Sequence, residues 1–365
     1  MKNTPETTIP SFPALTEWLS KLKPANILEF LQEDNTKYKR LKQLSSIIGI
    51  EYNTPEILSV ADVINRTENF EIIFDQKKGK YYNWRVIPKT PNYPKHRERA
   101  VLFEDGYKWF KKLEIIPDNY SHIEIIKYKK ETAYSTIFLI NDFGIWGEII
   151  KGDLWQLASG DHIVEPSLYA YYNFHNWKFS KPSGKEKTIL KKAIKKLKIV
   201  TPNAQEQLRS SLNAEFTRTG YLKGYFEFVV WPENEILFMD YNREIYKLLR
   251  DFNFKIFNST SELGGLCANS GLAIGKVRKI TNPQTQEFSN NEILICELTT
   301  IDFLPLMKKA KAIITQKGNL LSHASIIARE LNKPCIVAVK EIMNKINDGD
   351  IIFVDASRGI IKKLS

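Results

Sequence analysis

A histidine at the junction of a loop and a helix has the clearest chemical potential in this chain. His323 follows the apolar run 312–315, predicted as a short buried strand, and precedes an amphipathic segment from about Ala324 to Leu331. Backbone N–H groups and the helix dipole at a first turn stabilise an anion beside the ring. A neutral imidazole nitrogen is a nucleophile near pH 7 and can carry a phosphoryl group. The alternative is that His323 only caps a helix.

Two loop residues before His323 fit the same chemistry. Ser322 is predicted as the N-cap, because its hydroxyl can accept from a backbone N–H of the first turn. Gly318 relieves the steric limit on the loop, so that the backbone can approach a phosphate closely. The segment therefore predicts a strand, an anion-binding loop and a helix in that order.

A second group of oxygen-bearing side chains lies on a predicted hairpin over 224–243, with its turn at 232–234. Asp240 and Asn242 are two positions apart on one strand and so share a face, and Glu227 on the partner strand can join them. Two carboxylates and an amide oxygen suit Mg²⁺ bound to the phosphates of a nucleotide. The alternative is the polar outer face of an ordinary hairpin.

A basic cluster forms the third candidate site. Arg85, Arg97 and Arg99, with Lys95 nearby, are of the type that meets triphosphate oxygens. Solvated surface arginines account for the pattern equally well.

Five separated blocks around His323 carry a family resemblance. They are 271–277 (GLAIGKV), 292–302 (EILICELTTID), 307–315 (MKKAKAIIT), 315–334 (TQKGNLLSHASIIARELNKP) and 348–359 (DGDIIFVDASRG). In this order they resemble the mobile phosphohistidine domain of the phosphoenolpyruvate-utilising enzymes, which include pyruvate phosphate dikinase, phosphoenolpyruvate synthase and rifampicin phosphotransferase. The resemblance implies that His323 is the phosphorylated histidine and that Thr315 and Ser322 line its loop. One departure is Asn319, where the family usually has the second of two glycines.

The region before these blocks resembles an ATP-grasp domain. The hairpin resembles the end of that fold, although the order here is Glu and then Asp-x-Asn, whereas Asp and then Glu-x-Asn is common. The segments 122–128 and 143–148 resemble the hinge strand and the hairpins that follow it. The resemblance implies ATP and Mg²⁺ as cofactors. The implied nucleotide-binding residues are Arg85, Arg97, Arg99, Glu124 and Glu148, and the implied metal ligands are Glu227, Asp240 and Asn242.

The fold expected is α/β (α+β), with an ATP-grasp-like N-terminal part and a small swivelling β/β/α phosphohistidine domain. Its four parts are a helical segment (1–64), the ATP-grasp-like domain (65–253), a linker (254–270) and the mobile domain (271–365). Strands are expected at 71–75, 81–87, 122–128, 134–140 and 144–150, and helices at 101–113 and 185–198.

Composition limits the class of protein. The 365 residues are 43% hydrophobic and 12% aromatic, which is enough for packed cores. No apolar run approaches the roughly twenty residues that span a bilayer, and no signal peptide is recognisable, so we expect a cytoplasmic protein without a membrane partner. The net charge of +11 suits anionic ligands such as ATP, and we expect no specific nucleic-acid partner.

Together these patterns predict an ATP-dependent phosphotransferase, or the ATP-using subunit of one. It would pass a phosphoryl group from MgATP through His323 to a small-molecule acceptor such as pyruvate or a metabolite hydroxyl. The sequence shows no separate acceptor domain, so we expect either a partner subunit that supplies it or a helical segment before residue 65 adapted to that task. Two alternatives remain: a non-catalytic nucleotide-binding regulator, and an ATP-grasp ligase whose mobile domain is a relic.

Overall fold

The computed structural model describes residues 14–129, 132–161, 167–182, 184–232, 235–251 and 263–364. Residues 254–262 of the predicted linker and residues 233–234 of the predicted turn lie outside this part of the chain. The α-helices are α1 Leu15–Leu22, α2 Ile27–Asn35, α3 Lys37–Ile48, α4 Val60–Asn65, α5 Glu68–Lys77, α6 Phe103–Lys111, α7 Leu154–Ser159, α8 Lys185–Lys196, α9 Pro202–Leu212, α10 Arg243–Leu249, α11 Leu304–Lys309, α12 His323–Glu330 and α13 Ile342–Lys345. Short 3₁₀ turns occupy Pro117–Asn119 and Ile301–Phe303.

The strands form three sheets within the described ranges, so the fold is mixed α/β. They are β1 Glu56–Leu58, β2 Tyr81–Pro88, β3 His96–Leu102, β4 Tyr120–Lys127, β5 Tyr134–Asn141, β6 Gly144–Ile150, β7 Leu168–Tyr172, β8 Trp177–Phe179, β9 Gly224–Val230, β10 Ile236–Asn242, β11 Leu266–Asn269, β12 Leu272–Lys279, β13 Ile293–Cys296, β14 Ala312–Thr315, β15 Cys335–Val337, β16 Ile351–Asp355 and β17 Ile360–Lys363. No helix in the described ranges is both long enough and apolar enough to cross a lipid bilayer.

The first sheet has four strands in the order β1-β4-β2-β3 and packs against α4, α5 and α6. Its core is aromatic: the rings of Trp84 and Phe103 lie 4.9 Å apart between centroids. The strand expected at 71–75 is wrong, because this segment lies inside α5. Phe70, Ile73 and Phe74 face this core at helical spacing, which a five-residue apolar run does not reveal by itself.

The second sheet has the order β10-β9-β5-β6-β7-β8 and is covered by α3, α8 and α9. Neighbouring strands pair antiparallel, and the expected strands at 134–140 and 144–150 are confirmed as β5 and β6. The expected hairpin is the β9–β10 pair, with a bulge between Phe238 and Asp240. This sheet carries the predicted metal-binding face.

The third sheet belongs to the C-terminal region and has the order β11-β15-β14-β13-β12-β16-β17. Strands β12 to β15 run parallel, and α12 connects β14 to β15. Strand β11, which falls within the linker expected at 254–270, pairs antiparallel with β15. Residues 266–269 are therefore part of this sheet.

One hydrophobic core joins the N-terminal and C-terminal regions. Trp18 and Leu19 of α1 and Leu157 of α7 pack in the same buried cluster as Leu321 and Ile327, from the loop before α12 and from α12 itself. All five side chains are essentially inaccessible to solvent. The C-terminal region is thus docked against α1, α7 and α10, and this docking positions the site described below.

Candidate active site

The carboxyl groups of the predicted metal site face each other across β9 and β10. Asp240 pairs directly with Glu227 in the antiparallel register, so the two side chains share a face of the sheet. The Tyr225 hydroxyl donates to Glu227 Oε1 at 3.0 Å. Asn242 follows on the same strand, but its Oδ1 accepts from the Ile245 N–H at 2.8 Å and caps α10. The two carboxylates are therefore the principal candidate ligands.

The electrostatics of this pair fit a cation. Burial, together with the negative charge of Asp240, raises the pKa of Glu227 to about 7. No cluster of three or more acidic, histidine or cysteine side chains able to hold a metal occurs among the described residues. Mg²⁺ held by these two carboxylates would take its other ligands from water and phosphate oxygens. Mg²⁺ at a nucleotide is commonly held in this way.

His323 occupies the position that the sequence predicts, as the first residue of α12 after the buried strand β14. Ser322 is confirmed as the N-cap: its hydroxyl accepts from the Ser325 N–H at 3.4 Å and donates to the Asn319 carbonyl at 3.0 Å. The Thr315 hydroxyl donates to the Lys317 carbonyl. The hydroxyls of Thr315 and Ser322 thus hold the loop in shape.

Gly318 adopts a φ of 127°, which favours glycine. A Cβ at this position would lie 3.2 Å from both Thr315 Oγ1 and Val337 Cβ. The loop is therefore packed closely on β14 and β15, where a side chain would press against its neighbours.

The basic cluster is organised around a carboxylate from α2. Asp34 lies 2.7 Å from Lys95 Nζ, 3.0 Å from Arg97 Nη2 and 3.6 Å from Arg85 Nη2. Burial opposes ionisation of Asp34, but these three cations, together with Lys37, outweigh it and hold its pKa well below the usual value. Arg85 also pairs with Glu124 at 2.5 Å. The cluster is thus partly neutralised from within the protein.

One cavity of about 350 Å³ brings the candidate residues together. Its lining includes His323, the metal-site residues Glu227, Asp240 and Asn242, and the basic residues Arg85, Arg97 and Arg99. Three parts of the fold, namely the four-stranded sheet, the β9–β10 hairpin and α12, therefore contribute to one space. Aromatic side chains, among them Trp155 and Trp231, supply apolar walls.

Two of the predicted nucleotide-binding residues lie away from this lining. Glu124 is buried beneath Arg85, and His122 Nε2 lies 3.5 Å from its second oxygen. Glu148 is fully buried and accepts a hydrogen bond from the Ser167 hydroxyl. Neither is among the described residues that line the cavity. Glu124 can act there only through Arg85.

Two charged residues of the N-terminal helices lie at the site although the sequence does not predict them there. Asp34 and Arg40 lie in a segment without any recognisable motif, yet Arg40 Nη2 lies 3.4 Å from Asp240 Oδ1 and its Nη1 lies 3.3 Å from Glu33. Arg40 is 2% exposed, and arginines are rarely buried this fully unless they are paired, as Arg40 is here. The only sequence signal was a charged side chain on the inner face of an amphipathic helix, at the positions expected for a core.

Comparison with known proteins identifies the C-terminal region. Residues 288–359 match the family model for the mobile domain of PEP-utilising enzymes. A Bacillus subtilis protein named as an uncharacterized phosphotransferase, YvkC, is 39% identical over 109 residues, which cover 30% of this chain and 13% of that protein. A probable phosphoenolpyruvate synthase from Staphylothermus marinus is 41% identical over 100 residues (27% and 12%). The phosphoenolpyruvate synthase of Pyrococcus furiosus is 38% identical over 102 residues (28% and 12%).

These matches span only 12% to 13% of the curated relatives. Among solved structures, the macrocyclase MdnC of Microcystis aeruginosa covers 60% of this chain and 57% of its own at 13% identity, with a TM-score of 0.30. The N5-carboxyaminoimidazole synthase of Aspergillus clavatus covers 57% and 43% at 12% identity, with a TM-score of 0.28. Overall likenesses this low carry no further argument.

Proposed function

We propose that this chain is an ATP-dependent phosphotransferase, or the ATP-using subunit of one, that forms a phosphohistidine at His323. The observation that carries the proposal is the shared cavity: His323 lines the same space as the Glu227–Asp240 pair and the Arg85, Arg97 and Arg99 cluster. Phosphoryl transfer depends chiefly on positioning and on neutralising phosphate charge. The cavity combines both with a nucleophile. The similarity of residues 288–359 to a mobile domain supports the same role.

Each group of residues in the cavity has its own chemical role in this proposal. Glu227 and Asp240 would hold Mg²⁺, which when bound neutralises charge on the nucleotide phosphates. Arg85, Arg97 and Arg99 bind phosphate oxygens. A neutral ring nitrogen of His323 attacks the β-phosphorus in line: the N–P bond forms as the bond from that phosphorus to the α–β bridging oxygen breaks, and AMP leaves with the electron pair. Water then cleaves the γ-phosphate from the transferred pyrophosphoryl group, which releases phosphate and leaves phospho-His323. The N–H groups of the first turn of α12 stabilise the charge that develops.

The acceptor is a second part of the proposal. The relatives named phosphoenolpyruvate synthase suggest a small-molecule acceptor of the pyruvate class. AMP and phosphate are then the co-products that we propose. A separate subunit could supply the acceptor site. The cytoplasmic location, the absence of a specific nucleic-acid partner and the four domain boundaries stay predictions.

The decisive test is labelling with ATP that carries ³²P at the β-phosphate. We expect an acid-labile phosphoprotein from the wild type and none from His323→Ala. His175→Ala is the matched control, because His175 is exposed and lies outside the cavity lining. Undiminished labelling of His323→Ala would refute the proposal.

A parallel experiment with γ-labelled ATP resolves the reaction type. Release of AMP and of labelled phosphate, with no label kept by the protein, supports dikinase chemistry. Acceptor-dependent release of ADP favours an ATP-grasp ligase, and nucleotide binding without any transfer favours a regulatory protein.

A further inference from the structure

The loop before His323 contains a buried asparagine whose side chain reaches into another part of the fold. Asn319 is fully buried. Its side-chain amide donates to the carbonyl oxygen of Leu157 in α7 at 2.6 Å, across 162 positions of sequence. Its Oδ1 accepts from the Leu321 N–H at 3.0 Å. One side chain thus fixes the loop internally and ties it to α7.

The backbone of Asn319 extends this network towards His323. Its carbonyl accepts from the Ser322 hydroxyl at 3.0 Å and from the Ser325 hydroxyl at 2.5 Å. Ser322 is the N-cap of α12, so Asn319 is one hydrogen bond away from the cap that orients His323. A shift of Asn319 relative to α7 would therefore be transmitted to the first turn of α12.

The acceptor of the Asn319 amide is a carbonyl oxygen at the C-terminal end of α7. Leu157 lies in the last turn of this helix, and its carbonyl also accepts from the Gly160 N–H at 3.2 Å. Just beyond it, Gly160 has a φ of 80°, and a Cβ there would lie 2.7 Å from the Cα of Gly318. The two backbones meet closely at Gly160 and Gly318, and the Asn319 side chain fills the adjacent space with a directed hydrogen bond.

A second contact crosses the same junction but is weaker. Lys317 Nζ lies 3.3 Å from Asp161 Oδ1, and the lysine side chain is 39% exposed. Ion pairs of this exposure contribute little to stability and are screened by salt. The hydrogen bond from Asn319 to Leu157 is fully buried, so neither water nor salt competes with it. Among the polar contacts described at this junction, Asn319 therefore dominates.

We propose that Asn319 is a positioning residue that holds the His323 loop against α7 in the geometry required for phosphoryl transfer. This inference rests on the proposed function, because the geometry matters only if His323 receives the group. A glycine at this position would provide no side-chain donor, so this docking contact depends on the asparagine.

The test is Asn319→Asp in the full chain, with Asn290→Asp as the matched control. Aspartate keeps the size of the side chain and the acceptor for the Leu321 N–H, but it cannot donate to Leu157 and places a negative charge against its carbonyl. Asn290 is exposed and lies in the same region, so its variant makes the same chemical change without a docking role. Asn319→Ala is a second variant that removes the donor without adding charge.

A comparison of two phosphoryl donors distinguishes the loss of docking from damage to the His323 loop. We expect Asn319→Asp and Asn319→Ala to slow labelling of His323 from MgATP by about 10- to 100-fold, because a misplacement of about 1 Å can cost that much. Labelling by phosphoramidate, a small donor that needs no docked nucleotide site, should stay at the wild-type rate. Equal loss with both donors, or no loss with MgATP, would overturn the inference.

Amide hydrogen exchange provides a readout that is independent of transfer. Peptides covering 154–161 should exchange faster in Asn319→Asp than in the wild type and Asn290→Asp, since the α7 contact is lost. If the wild type takes no label from ATP, the proposed function fails and the catalytic part of the inference fails with it. Exchange then decides the docking contact: faster exchange supports it, and unchanged exchange refutes it.

Discussion

Asp240 lies directly opposite Glu227 in the β9–β10 pair, so that two carboxyl groups meet on a largely buried face of the second sheet. Like charges opposite each other destabilise a sheet. Arg40 contacts Asp240 at 3.4 Å, yet the pKa of Glu227 remains raised by burial and by Asp240. Negative charge is therefore concentrated at a position where it can bind a cation. Without a bound cation, this charge lowers the stability of the fold.

Removing one carboxylate should abolish most of the transfer. We expect Asp240→Asn to reduce labelling of His323 from MgATP on the order of 100-fold, since charge stabilisation by one well-placed group is worth about this much. Glu235→Gln is the control, because Glu235 is exposed at the end of the same hairpin. Labelling rates at saturating Mg²⁺ provide the measurement, and equal rates for the two variants would contradict the assignment.

Removing the other carboxylate should stabilise the fold at high pH. Between about pH 4.5 and 7 the folded protein keeps the Glu227 proton that the unfolded chain has lost, so the free energy of unfolding falls as pH rises through this range. Glu227→Gln lacks this penalty. We expect its melting temperature, measured without Mg²⁺, to exceed that of the wild type at pH 8, and the excess to shrink towards pH 5. A difference in melting temperature that grows on acidification would contradict the raised pKa of Glu227.

Asp34 should stabilise the fold, but it should also compete with ATP for the cations of the basic cluster. Asp34→Asn leaves Arg85 with Glu124 but removes the carboxylate that Lys95 and Arg97 contact, and we expect a loss of about 3 kcal/mol in the free energy of unfolding. Added ATP should raise the melting temperature more in this variant than in the wild type. Thermal melts with and without nucleotide measure both effects.

The control for that variant is Asp118→Asn, which removes a negative charge from an exposed position. It should change neither stability nor the response to ATP. A smaller ATP response in Asp34→Asn than in the wild type would show that Asp34 orients the cations for the nucleotide.

Close backbone approach between α7 and the His323 loop gives a further prediction. Gly160→Ala combines a positive φ with a Cβ that would meet Gly318 Cα at 2.7 Å, so we expect reduced stability and slower labelling of His323. Gly49→Ala isolates the backbone strain, because Gly49 has a φ of 67° and no neighbouring atom within 4 Å of its Cβ position. Labelling should therefore be unaffected by Gly49→Ala. Equal labelling rates in both variants would contradict the close approach.

The local features of the His323 segment were predictable from sequence. The strand β14, the cap at Ser322 and the helix start at His323 each follow from neighbouring residue types, and all three are confirmed. That Glu227 and Asp240 share a face of the sheet was also predictable, because both lie on one hairpin with strand periodicity. Short-range rules were sufficient wherever the partners are close in sequence.

Contacts across long sequence separations were not predictable in this way. Asp34 meets Arg97 across 63 positions, and Asn319 meets Leu157 across 162. Such pairs depend on how whole elements dock, which depends on packing rather than on local pattern. The strand prediction for 71–75 is wrong for a related reason: only the burial of α5 against the first sheet reveals its helical period.

The hydrophobic cluster that joins α1, α7 and α12 has a consequence for how the protein melts. Because Trp18, Leu157 and Leu321 bury one another, the separation of the two regions would expose apolar surface on both. Neither region can therefore lose its structure without weakening the other. The chain should unfold in a single cooperative transition, with the calorimetric enthalpy close to the van't Hoff value, rather than in two steps.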